Sequence, residues 1–94
     1  MKGVFRVVAQ TAPVSVTRKD GTTTQKCNIV VQELGGKFES SYVATLLGNM
    51  ASLKFYQNDI VYAALRFEAR EYQNSYYMDC LCQDIISVST DTAF

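Results

Sequence analysis

Between Asp59 and Val88 the chain sets Arg66, Arg70, Tyr72, Tyr76 and Tyr77 within one stretch of alternating residues. A guanidinium donates charge-assisted hydrogen bonds to phosphate oxygens, and a phenol ring offers a flat face to a base. These side chains are spaced to do such work only if the backbone holds them on a wet surface. In Ile60–Arg70, Val61, Ala63, Leu65 and Phe67 point one way, and Tyr62, Ala64, Arg66, Glu68 and Arg70 the other. Alternation of that length reads as a strand with one face in a core and the other in water.

Other chemistries find no support in the residue inventory. There is no histidine, so catalysis through an imidazole base is excluded, whether with serine or cysteine as nucleophile. The carboxylates are scattered, and Asp79 and Asp84 fall on opposite faces of one strand rather than as a paired acid and base. Gly35-Gly36 lacks the pattern of a phosphate-cradling loop. The chain is read as a binding protein and not an enzyme, with no cofactor. Three cysteines, an odd number, argue against a disulfide framework. Cys80 and Cys82 share a strand face with Met78 and read as small buried thiols. A metal pair completed by Cys27 is the alternative, and it lacks the second pair or partner histidines that zinc sites use.

Ninety-four residues, nearly half of them hydrophobic, make one domain with one small core. No apolar run has the length of a membrane helix, and Arg6, Gln10 and Thr11 interrupt any signal-peptide pattern. The chain is therefore expected in the cytoplasm, with no membrane partner. Net charge is zero, which argues against a generic basic polyelectrolyte binder. The charge is unevenly spread. Up to Lys26, five basic residues (Lys2, Arg6, Arg18, Lys19, Lys26) stand against Asp20 alone, giving +4, and the remainder carries −4. A local positive field on a neutral chain still steers an anion.

The elements that must position these residues follow from pattern and turn chemistry. Gly3–Val16 predicts a first strand with Pro13 at a bulge or edge. Asp20-Gly21 marks a reversal. Thr23–Glu33 is a second strand with Cys27, Ile29 and Val31 on its apolar face. After a connection over Leu34–Lys37, Phe38–Leu47 is a third strand, with Tyr42, Ala44 and Leu46 on one face. Gly48 ends it, Asn49 is the expected N-cap, and Met50–Tyr56 a short helix that plugs a barrel end. Two long strands follow, Ile60–Arg70 and Tyr76–Val88, joined by a turn over Glu71–Ser75. Three strands, a short helix and two strands is the order of the OB-fold, a five-stranded Greek-key barrel. The first strand is expected to curl and pair in both halves. The OB domain spans residues 1–88, and residues 89–94 form a flexible tail.

Gly48 after an apolar strand, a short helix with Ala51 and Leu53, the Asn58-Asp59 turn, Arg70-Glu71-Tyr72 and then Tyr76-Tyr77-Met78-Asp79-Cys80 together resemble the OB domain of bacterial single-stranded DNA-binding proteins. The likeness is closer still to small bacterial proteins that consist of that domain alone. It covers Gly3 to Val88. It implies a face that binds single-stranded DNA or RNA with little sequence preference, by stacking and phosphate contacts, in support of replication, recombination or repair. Carried onto this sequence, that face holds Arg18 and Lys19 in the first loop, Lys26 in the second strand, Arg66 and Arg70 in the fourth, and Tyr72, Tyr76 and Tyr77 at and beyond the last loop. Leu47 stands where related domains commonly place an aromatic residue. The resemblance also implies a homodimer or homotetramer, and a tail in which Asp91 and Phe94 dock replication or repair proteins.

Burial by face divides the aromatic residues. Phe5, Phe38, Tyr42 and Phe67 are expected in the core, Tyr62 outside or at a subunit contact, Tyr72 in the loop, and one of Tyr76 and Tyr77 outward. Val30, Val43 and Leu81, on nominally wet faces, favour an alternative in which the domain is a protein-interaction or oligomerisation module without nucleic-acid binding.

Overall fold

Valine, isoleucine, threonine and tyrosine at period two build the molecule almost wholly from strands. The computed structural model describes residues 1–34 and 39–89. Its elements are β1 (Lys2–Gln10), β2 (Val14–Thr17), β3 (Thr23–Glu33), β4 (Ser41–Leu47), a 3₁₀ turn (Gly48–Ser52), β5 (Ile60–Tyr72) and β6 (Ser75–Ser89). The sheet order is β1-β5-β6-β4-β3-β2, and β1 also pairs with β3. Phe5 faces Val61 on one side, and Val7 faces Val31 on the other. One strand thus pairs in both halves and closes the ring, helped by a bulge at Val8 between Val7 and Ala9. The expected first strand is split by Thr11-Ala12-Pro13, so the five-stranded barrel is drawn as six segments.

The core lies where alternation placed it. Ile29, Val31, Leu46, Val61 and Leu65 are fully buried, with Phe5, Cys27 and Ala44 among them. Tyr42 is half-buried between the edges of Phe5 and Phe67, with ring centroids 6.1 and 5.8 Å away. Its hydroxyl donates to Glu33 at 2.6 Å. That bond to a carboxylate, with burial, holds the phenol above its ordinary pKa.

Several expectations need correction. The helix over Met50–Tyr56 is instead a single 3₁₀ turn starting at Gly48. Asn49 lies inside it, and Leu47 holds the cap position without a side-chain bond. The cause is competition for backbone groups. The Gln10 amide donates to Leu53 O and accepts from Phe55 N, both at 2.7 Å, and Asp59 accepts from Tyr56 N at 2.9 Å. The chain there is pinned extended. Ala51 is nevertheless buried, with Met50 and Phe55 against the core, so the segment still stops the barrel end.

The last turn is two residues, not five. Gln73 and Asn74 both have positive φ, 51° and 63°, as a type I′ hairpin requires. Tyr72 therefore ends a strand opposite Ser75 rather than lying in a loop. A bulge at Gln83, between the pairs Ala64–Asp84 and Leu65–Cys82, brings Asp84 to the same face as Asp79, which pairs with Glu68. Phe67 is 39% exposed rather than core. β4 begins at Ser41; Phe38 and part of the preceding connection lie outside the described residues.

Candidate nucleic-acid interface

β5 and β6 stay paired from the barrel out to Tyr72–Ser75, well past the last contact of β1 with β5 at Lys2–Ala64 and the β4–β6 pair Thr45–Leu81. The outer part, residues 69–78, is a hairpin exposed on both faces. Cross-strand partners point the same way. Arg66, Glu68, Arg70 and Tyr72 therefore share a face with Leu81, Asp79 and Tyr77. Phe67, Ala69 and Glu71 share the other with Cys80, Met78 and Tyr76.

The first of these faces forms one wall of a groove of about 580 Å³. Arg70, Asp79 and Leu81 come from the hairpin, and Arg18, Val16, Thr24 and Lys26 from β2, β3 and their connection. Thr45 and Leu47 of β4 complete the lining, Leu47 lying opposite Lys26 in the register. The β2–β3 reversal is a rigid support for Arg18. Gly21 N–H donates to Arg18 O at 3.0 Å, Arg18 N–H to Thr22 O at 2.7 Å, and Gly21 takes φ 88°. Asp20 accepts from the Thr22 hydroxyl at 2.7 Å and its N–H at 3.0 Å. These bonds, with nearby Arg18, hold the Asp20 carboxyl below the usual range.

Arg70 is held from two sides. Its Nε donates to Asp79 at 3.0 Å, and its guanidinium carbon lies 5.4 Å from the Tyr77 ring centroid. The groove thus combines three cationic side chains, an apolar and threonine-lined floor, and a ring beside one cation. Electrostatically and by shape it can hold an anionic chain with its bases laid against the floor and the hairpin wall.

The residues singled out from sequence separate in space. Arg18, Lys26 and Arg70 line the groove, and Tyr77, 48% exposed, stands against Arg70. Lys19 is exposed in the β2–β3 connection outside the lining. Arg66 is on the groove side of the hairpin but is occupied by Glu68 at 2.8 Å. Tyr72 is exposed at the hairpin tip. Tyr76, 76% exposed, is on the opposite face from Arg70. Asp91 and Phe94 lie outside the described residues. Sequence reasoning missed Val16, Thr24, Thr45 and Asp79 as lining. Their signal was register, since Val16 pairs with Thr24 and Thr45 with Leu81.

Cys27, Cys80 and Cys82 are unpaired thiols. Among the described residues no group of three or more histidine, cysteine or acidic side chains is placed to hold a metal. Among them, too, no helix is long and apolar enough to cross a membrane.

No family model and no curated protein matches the chain. A solved structure does: the second OB-fold domain of replication protein A from Methanococcus maripaludis, determined by solution NMR. It superposes with a TM-score of 0.70 at 18% identity, covering 98% of this chain and 86% of that one. The chain has an OB-fold. The neighbour shares the architecture over nearly the whole length of both proteins, and at that identity the likeness speaks for fold. In OB-folds generally, oligonucleotides and oligosaccharides bind across the middle strands between the first hairpin loop and the last. The groove occupies that position here.

Proposed function

We propose that this OB-fold binds single-stranded nucleic acid, DNA in the first instance, in the groove between the β2–β3 connection and the β5–β6 hairpin. The observation that carries the reading is the convergence of Arg18, Lys26 and Arg70 on one groove with Leu47 and Leu81 in its lining. Phosphates meet Arg18 and Lys26, and bases pack on the floor and against the hairpin wall that carries Arg70 and Tyr77. Because ring faces and phosphates are common to all sequences, binding is largely independent of sequence. The resemblance to bacterial single-stranded DNA-binding proteins supports a cytoplasmic role in replication, recombination or repair, and the structural neighbour is a domain of a replication protein. The fit to a ligand rather than a reaction supports a binding module, not an enzyme.

Fluorescence polarisation with an unstructured oligonucleotide at stepped salt tests this. Affinity should fall with salt, and Arg18→Ala and Lys26→Ala should each lower the slope of log affinity against log salt by about 0.7. Folded protein that fails to bind at low salt refutes the proposal.

A second reading rests on a different observation. Val4, Tyr62 and Ile86 face one another across β1, β5 and β6 on the outside of the barrel, and Val4 and Ile86 are exposed. This apolar row, with exposed Val43, supports self-association into a dimer or tetramer. The two readings use different surfaces and are compatible. Light scattering at micromolar concentration decides the second, and Ile86→Asp should shift any oligomer to monomer.

A further inference from the structure

The groove holds a carboxylate where a phosphate-binding surface should have none. Asp79 is the one acid among its described lining residues, set beside Arg70 and across from Arg18 and Lys26. Paired with Arg70, it leaves the hairpin wall without net charge, so the field that attracts a sugar–phosphate chain comes from Arg18 and Lys26. A strand bound with its backbone on that side would turn base edges toward the hairpin wall.

That wall has a defined pattern. Asp79 Oδ2 accepts from Arg70 Nε at 3.0 Å and Oδ1 from Nη2 at 3.5 Å, and the Tyr77 ring backs the guanidinium at 5.4 Å. The Nη1–Nη2 edge of Arg70 and the outer lone pairs of Asp79 thus remain open side by side. Both side chains are about half exposed. Neither is saturated, because a carboxylate offers about four lone-pair sites and a guanidinium five N–H groups.

Among the four bases of an unpaired strand, only guanine presents two acceptors, N7 and O6, followed directly by two donors, N1–H and N2–H. Adenine has a single exocyclic amine between two acceptors, cytosine a single amine beside one acceptor and a C–H, and the thymine imino group lies between two carbonyls. Unpaired bases leave these edges free to be read. We propose that Arg70 and Asp79 form a guanine-selective subsite, in which Arg70 donates to O6 and N7 and Asp79 accepts from N1–H and N2–H. This rests on the reading that the groove holds single-stranded nucleic acid. It adds a base preference at one position to binding that is otherwise indifferent to sequence.

The test compares three labelled oligothymidylates of equal length carrying isolated guanines, hypoxanthines (as inosine) or adenines at the same positions. Isolated guanines cannot assemble quadruplexes, and hypoxanthine differs from guanine only by the missing 2-amino group. The native protein should bind the guanine oligomer about tenfold more tightly than the other two. Asp79→Asn, whose carboxamide keeps a single acceptor oxygen, should bring the guanine-to-hypoxanthine ratio close to one. Equal affinity for guanine and hypoxanthine in the native protein, or a ratio that survives Asp79→Asn, overturns the subsite while general binding stands. Folded protein that binds none of the oligomers overturns the groove reading, and the subsite with it.

Discussion

The two halves of the β5–β6 ladder share one pleat but not one environment. At the root, Val61, Ala63 and Leu65 are sealed inside the barrel. Beyond Leu65 the same alternation runs on through Phe67, Ala69 and Glu71, and burial falls away: Phe67 still meets the Tyr42 ring, while Ala69 and Glu71 are exposed. From Ala69 outward every residue of β5 is exposed, so inward and outward lose their meaning, and what separates the faces is chemistry. One carries Arg70, Tyr77 and Asp79 toward the groove, and the other carries Tyr76 and Met78 away from it. Periodicity identifies the faces of a strand, but only a covering layer makes one of them a core.

The sharpest way to break this contrast is to truncate one residue in each half. Leu65→Ala leaves a cavity in a closed core and should cost about 2–5 kcal/mol in urea unfolding. Phe67→Ala, two residues further along the same face, should cost about 1–2 kcal/mol because part of the ring is already in water. Comparable losses would mean that the hairpin is covered in solution.

The contrast between the hairpin faces is tested by two neighbouring tyrosines. Tyr77→Ala should weaken oligonucleotide binding by about 1–3 kcal/mol, through a lost stack and a less restrained Arg70. Tyr76→Ala should leave affinity within about twofold, as for a surface change away from the contact. Polarisation titrations of both variants suffice, and a larger loss for Tyr76→Ala would put the strand on the wrong side of the hairpin.

Thiols give a third comparison. Burial pushes Cys82, at the root, up to about 11 from an ordinary 9.0, while Cys80, further out, is raised by the same cause. A raised thiol pKa means that the unfolded chain ionises first. The stabilising contribution is intact below pH 9.0 and is lost as the pH climbs through about 11. Cys82→Ala should flatten that alkaline decline in melting temperature, and Cys80 should react with a thiol reagent at pH 8 before Cys82 does. The smallest effect is expected at the tip. Replacing Gln73-Asn74 with Asn-Gly, the favoured type I′ pair, should stabilise by about 0.5 kcal/mol and leave binding unchanged.

Much of the barrel was legible because its strands are long and their inner faces unbroken. Cys27, Ile29 and Val31 announce β3, and Val61, Ala63 and Leu65 the root of β5. The short helix was not legible because the residues that prevent it, Gln10 and Asp59, are remote or side-chain effects with no local pattern. The groove was half legible. Arg18, Lys26 and Arg70 were visible as charges, but which tyrosine joins Arg70 depends on the turn. A five-residue turn would set Tyr76 opposite Arg70, whereas the two-residue turn sets Tyr77 there. Gln-Asn is a weak hairpin signal, so a one-residue slip in register was enough to blur the site. Asp79 was read as part of a motif and as an unpaired acid but not as a groove residue, since the other groove walls come from β2, β3 and β4.

The double pairing of β1 also has a cost during synthesis. Its closing partner starts only at Ile60, and β6 must then lie against β5 and β4. Until those strands emerge from the ribosome, β1 can join only β3, and the nascent sheet carries an open hydrogen-bonding edge. Folding of this kind is governed by contacts distant along the chain and is correspondingly slow. The interval before closure is the period in which the growing polypeptide is most open to aggregation and to chaperone capture.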